Sequence, residues 1–173
     1  MLGVLWGAFI DMETLVVSGS GFFFLDVFTT TLGLPLSLLS FISFFGPIIG
    51  IALGFDAING ERTRGTLSRV LSQPIYRDAI ISGKFLAGVA LLSIALLALV
   101  VIIFGFGIYF LGFPPTFDEA VRVLLYLGVS IVYIAFWLAL SLLFSIIFNQ
   151  AAVSAMASLG VWLVLTFFTS FLA

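Results

Sequence analysis

Gly60-Glu-Arg-Thr-Arg-Gly65 has the glycine spacing of a phosphate-binding loop, whose backbone N–H groups would cradle nucleotide phosphates. That chemistry needs a lysine directly after the second glycine, and Thr66 stands there instead. No soluble strand precedes the stretch to place such a loop. Other reaction chemistries are equally short of parts. The chain has no Cys and no His, which removes thiol nucleophiles, disulfides, imidazole bases and the usual zinc ligand sets. Its apolar stretches hold no clustered acids, so an intramembrane enzyme has nothing to work with. No catalytic residue and no metal site is assigned, and any catalysis belongs to a partner.

What remains is a concentration of charge. Arg62, Arg64, Arg69, Arg77 and Lys84 lie between Asp56 and Lys84, which leaves Arg122 as the one basic residue elsewhere. The chain as a whole is 63% hydrophobic and 8% charged, with 21 Phe and a mean hydropathy of +1.37. Its apolar runs exceed the roughly 18 to 20 residues that cross a bilayer. A soluble core of this length would leave too much apolar surface wet. A charged side chain at the centre of a spanning helix costs about 2.5 to 3.5 kcal/mol, so the charged island is expected outside the hydrocarbon. The net charge of -2 says little beside this distribution, and no basic patch suggests nucleic acid.

The elements that position the island follow from the apolar runs. An all-α integral membrane protein with four spans is expected, as a single transmembrane domain over 1–173. The spans are 32–55, 85–110, 121–148 and 151–173, with the island at 56–84 between the first two. Segment 1–31 begins with ten apolar residues, about half a span, and continues acidic and without Lys or Arg. It lacks the basic region of a cleaved signal and reads as a non-cytoplasmic, interfacial stretch. Pro47 lies deep in the first span and should bend it. The paired Pro114 and Pro115 forbid helix between the second and third spans. By the positive-inside rule the island is cytoplasmic. The turn carrying Asp118 and Glu119 then lies outside, with Arg122 free to snorkel or pair with them, and Asn149 and Gln150 return to the cytoplasm.

Within the island, Thr63, Leu67, Val70 and Leu71 recur near helical spacing on one side, with Arg62, Thr66, Arg69 and Gln73 on the other. Asn59 is the expected N-cap, and Glu61 stands in the first turn where the helix dipole favours an acid. Pro74 stops this helix, and Asp78 marks a fresh first turn leading through Lys84 into the second span. A short amphipathic helix parallel to the membrane results. It can serve as an interfacial anchor or as a lever gripped by a cytoplasmic partner, and composition alone favours the anchor.

The order of these residues resembles the ABC-2 type membrane permeases. The resemblance rests on Glu61 and Arg62, then Gly65, Thr66 and Leu67, then Leu71, Ser72 and Pro74, then Arg77, and finally Gly83 with Lys84 opening the next span. It covers about thirty residues directly, and the flanking spans fit in order and polarity. It implies that the amphipathic segment is a coupling helix received by a cytoplasmic ATPase subunit, where ATP and Mg are bound and hydrolysed. It also implies a second permease copy or a homologous permease beside this one, in a lipid bilayer of the cell membrane, and export driven by movement of the coupling helix. Glu61 and Arg62 are then the candidates for polar contact with the ATPase, and Leu67 and Leu71 pack beneath. Gly65 admits close backbone approach. Arg64, Arg69, Arg77 and Lys84 are also accounted for by topology and lipid headgroups, and Glu61 by pairing within the loop.

Gly46, Gly50 and Gly54 form a ridge along the first span, of the kind that lets helices approach closely within one chain. Ala151, Ser154, Ala155 and Ser158 make a looser small-residue face on the fourth. Few ionisable groups lie in the spans, so an ion-coupled carrier is poorly supported. Tyr109, Tyr126, Ser130, Tyr133, Trp137 and Ser141 could face a pathway for an amphiphilic substrate, although packing accounts for most of them. The family has six spans where this chain offers four, which implies a truncated subunit. The competing reading is a membrane scaffold that docks a cytoplasmic protein and transports nothing.

Overall fold

The computed structural model describes residues 38–65, 77–111 and 114–172. Five helices lie in these segments: α1 (Leu38–Gly54), α2 (Asn59–Thr63), α3 (Arg77–Leu111), α4 (Phe117–Ile147) and α5 (Ala151–Leu172). Among the described residues there is no strand. Four stretches are long and apolar enough to cross a bilayer: Ser40–Thr63, Asp78–Phe106, Phe117–Ile147 and Ala151–Phe168. The chain is a multi-pass, all-α membrane protein. Leu86, Ile94, Met156, Val164 and Phe171 are exposed, as befits side chains whose solvent is lipid. The interfacial reading of 1–31, and the start of the first span before Leu38, lie outside the described residues.

The helix of the second span begins at Arg77 with Asp78 in its first turn, as the sequence led to expect, so the apolar helix reaches back into the charged island. Helix boundaries differ from the sequence expectation in two places, each for a local reason. The helix of the third span begins at Phe117 rather than Val121. There the Thr116 N–H donates to Glu119 Oε2 at 2.8 Å and the Glu119 N–H to Thr116 Oγ1 at 3.4 Å, a reciprocal cap that satisfies two terminal donors. Glu119 is buried in the process.

The second difference concerns the island. Asn59 is not the N-cap of α2. Ile58 holds that position in a helical conformation without a side-chain cap, and Asn59 is already inside the helix and buried. Both need a partner for their N–H groups, and a tertiary one supplies it: Ser145 Oγ on α4 accepts from Ile58 at 3.2 Å and from Asn59 at 3.3 Å. Between α1 and α2 the ladder hardly lapses, since the Phe55, Gly60 and Arg62 N–H groups reach Ile51, Asp56 and Ile58 carbonyls at 3.0, 2.8 and 3.1 Å. α2 does not run unbroken to Gln73. It closes at Arg64 and Gly65, whose φ of 70° is left-handed, the usual way a helix terminates on glycine. Residues 66–76, including Thr66, Leu67, Arg69, Val70, Leu71, Ser72, Gln73 and Pro74, lie outside the described residues.

The chain divides into two compact units, one of Met1–Phe45 with Ala95–Ser130, the other of Gly46–Ile94 with Ile131–Ala173. In the first, Ile42, Leu96, Leu99, Val100, Tyr126, Leu127 and Ser130 surround a small apolar gap, and the Ser130 hydroxyl donates back to the Tyr126 carbonyl at 2.8 Å.

In the second unit the glycine ridge of α1 lies on α4. A Cβ at Gly50 would stand 2.8 Å from the Ile134 carbonyl oxygen, and one at Gly54 would stand 2.9 Å from that of Leu138. One at Gly46 would meet Ile134 Cγ1 at 3.0 Å. With lipid on the outside there is no hydrophobic drive between helices, so this closeness gives the dispersion contacts that hold them. The Ser141 hydroxyl donates to the Ile51 carbonyl at 3.0 Å across the same seam, and Ile51, Trp137 and Trp162 form a buried cluster. α4 and α5 make a hairpin around Phe148–Gln150. Ser145 and Ser154, Ser141 and Ser158, and Trp137 and Trp162 stand pairwise equidistant from the middle of that turn. All six are buried, and the two tryptophans share the cluster with Ile51.

Candidate functional site

The second unit gathers the described part of the charged island around α2. Lys84, on the first turns of α3, donates its Nζ to the Ala57 carbonyl at 2.7 Å and to Glu61 Oε1 at 2.7 Å. The two side chains are 24% and 32% exposed. A surface ion pair alone is worth about 0 to 1 kcal/mol, so the added bond to a backbone carbonyl matters: it fixes where the ammonium sits. Arg62, one residue on, donates through Nη1 to Asn149 Oδ1 in the α4–α5 turn. Thr63 Oγ1 donates to the Asn59 carbonyl at 2.9 Å within α2. α2 is thus held from α3 by Lys84, from α4 by Ser145 and from the α4–α5 turn by Asn149.

Of the residues singled out in the sequence, Glu61, Arg62 and Lys84 come together here, and Arg77 opens α3. Glu61 gives Oε1 to Lys84, the pairing within the loop that was its alternative role. A Cβ at Gly65 would meet nothing within 4 Å, so among the described residues its glycine answers to the positive φ and not to a crowded neighbour. Gly60 is the crowded one. A Cβ there would be 2.7 Å from Asp56 Oδ2, and sequence reading gave no sign of that. Arg62, Thr63, Arg64 and Gly65 form an exposed edge.

Sequence reasoning missed Ser145 and Asn149 as parts of this site. Asn149 was legible as a polar turn, but nothing in the sequence says which element it faces. Ser130 and Ser141, read as possible pathway residues, donate to helix carbonyls and are buried, as is Trp137. Tyr109 is 81% exposed. Among the described residues no group of three or more His, Cys, Asp or Glu is placed to hold a metal ion.

A family profile described as "ABC-2 family transporter protein" matches residues 8–173. The chain belongs to the ABC-2 transporter family. Over 141 residues, 78% of this chain and 49% of the relative, it is 31% identical to "Probable ABC transporter permease protein NosY" of Pseudomonas aeruginosa. Over 61 residues, 35% of this chain and 22% of the relative, it is 41% identical to the protein of the same name from Stutzerimonas stutzeri. In the longer of these alignments the ABC-2 chain spans about half the length of its curated relative. No solved structure matches it. In this ABC-2 chain α2 is a short polar element, exposed along one edge, with charged and hydroxyl bonds to three separate parts of the same unit.

Proposed function

We propose that this chain is the permease subunit of an ATP-driven exporter, with ATP and Mg bound and hydrolysed by a separate cytoplasmic ATPase subunit. α2 and the residues that follow it through Pro74 are the coupling region. Glu61, Arg62, Gly65, Thr66, Leu67, Leu71, Ser72, Pro74, Arg77 and Lys84 form or support the surface that the ATPase grips. A second copy or a homologous permease completes the membrane part, with lipid around it. The observation that carries this reading is the placement of α2: charge is concentrated at one short helix tied by hydrogen bonds to α3, α4 and the α4–α5 turn. The family to which the chain belongs and the permease names of its relatives point the same way. A passive anchor would need the charge but not the ties.

The absence of native Cys makes the topology directly testable. Arg64→Cys, on the exposed edge, is expected to react with a membrane-impermeant maleimide in inside-out vesicles and not in intact cells. Glu61→Lys sets two ammonium groups against each other at the α2–α3 contact and is expected to lower ATPase recovery with the affinity-tagged chain while insertion persists. Labelling of Arg64→Cys from outside intact cells, or undiminished ATPase recovery with Glu61→Lys, would count against the reading. Recovery of the ATPase without nucleotide-dependent transport on reconstitution would favour the scaffold.

A further inference from the structure

We propose that Asn149 is a positioning residue which, with Ser145, makes α2 and the α4–α5 hairpin move as one piece, so that displacement of α2 reaches α5. The proposal rests on the reading of α2 as the element an ATPase displaces. Chain connectivity gives the reason such a device is needed. α2 is joined covalently to α1 through 55–58 and to α3 through 66–76, so those helices feel its movement through the backbone. α4 and α5 begin more than fifty residues later and respond to α2 only through contacts in space.

Besides the α1–α4 seam, two direct contacts tie α2 itself to the hairpin, at sequence separations of 86 to 87 residues. At the start of α2, Ser145 Oγ accepts the N–H groups of Ile58 and Asn59. Both residues are buried, so sliding α2 away from α4 would strand two donors without water to take them. One turn farther along α2, Arg62 donates to Asn149, a charge-assisted bond. On the partner side Ser145 and Asn149 are likewise four residues apart. A single contact would be a pivot about which α2 could rotate. Two holds, each about one helical turn apart on both elements, resist rotation as well as sliding.

The hairpin beyond them is stiff enough to pass the movement on. The Ser154 N–H returns to the Gln150 carbonyl at 3.1 Å, so α5 starts directly after the turn. Farther along, buried Trp137 of α4 and Trp162 of α5 lie in one cluster with Ile51, so the two helices are packed together there. Lys84 has a different task, since α3 is already coupled to α2 by the chain itself.

The test uses the full chain with its ATPase in membranes and single introduced cysteines carrying an environment-sensitive fluorophore, in a sequence with no other Cys. One label stands at Arg64→Cys, at the exposed end of α2, and the other at Val153→Cys, exposed on the first turn of α5. Both labels are expected to respond when ATP is added to the otherwise native chain. Asn149→Leu, which offers no acceptor to Arg62, is expected to leave ATPase recovery and the α2 response in place while the α5 response falls several-fold. Asn149→Asp, which keeps an acceptor, restores it. Should Asn149→Leu fail to insert, Asn149→Ala takes its place with the same expectation. An α5 response as large in the Leu or Ala chain as in the native one overturns the proposal alone. An α2 label that ignores ATP in the native chain overturns the reading of α2 and the proposal with it.

Discussion

Replacing Gly50 by alanine tests the α1–α4 seam at its tightest point. The added Cβ would lie 2.8 Å from the Ile134 carbonyl oxygen, 3.1 Å from the Leu138 nitrogen and 3.2 Å from Trp137 Cβ. The first two are backbone atoms of a continuous helix and cannot swing aside. A relaxed carbon–oxygen contact lies at about 3.3 to 3.6 Å, so the helices must part locally by about half an ångström or more. A gap of that size forfeits about a quarter to a half of each affected dispersion contact, and overpacking of this kind costs about 1 to 3 kcal/mol. Alanine also favours the helix over glycine by about 1 kcal/mol, which would mask part of the loss. Gly83→Ala removes that ambiguity, because Gly83 is helical and a Cβ there meets nothing within 4 Å. The propensity gain is common to both variants, so their difference isolates the close approach and should be about 1 to 3 kcal/mol, with Gly83→Ala the more stable. Equilibrium unfolding in mixed micelles measures it, with tryptophan emission reporting the buried Trp137 and Trp162. Equal stability of the two variants, or a more stable Gly50→Ala, would refute the packing argument.

Two other substitutions probe bonds that hold single elements. Ser145→Ala leaves the buried N–H groups of Ile58 and Asn59 without their acceptor and should cost about 1 to 3 kcal/mol; hydrogen exchange read at these two amides is expected to quicken, and unchanged protection would mean that another group takes them. Thr116→Ala removes half of the reciprocal cap on α4 and should cost about 1 kcal/mol, seen as a lowered melting temperature in detergent, whereas Thr116→Ser should keep it.

Much of the architecture is legible from composition. Placing charge in hydrocarbon is expensive, and a spanning backbone has to satisfy its own hydrogen bonds, so four long apolar helices and one charged connection follow almost from counting. The glycine ridge was legible as well, because three glycines four apart leave a groove with one obvious use. Three features near α2 were not. Asn59 has the chemistry of an N-cap, yet Ser145 supplies the acceptor from a distant part of the chain and Asn59 turns inward. Gly65 sits within an apparently amphipathic run, but its positive φ ends the helix there. Glu61 was open between an outward and an inward partner, and the contact with Lys84, twenty-three residues away on α3, is made only by the fold.

The sequence by itself determined that this is a membrane protein of long apolar helices with all but one of its basic residues in one connection, since transfer free energies act on each segment independently of its neighbours. It also carried the resemblance that the family match bears out. Only the tertiary structure decided what the polar residues of that connection touch. Hydrogen bonds are short and directional, and Ser145 and Asn149 lie more than eighty residues from the groups they hold. No local periodicity can report a contact made by folding the chain back on itself.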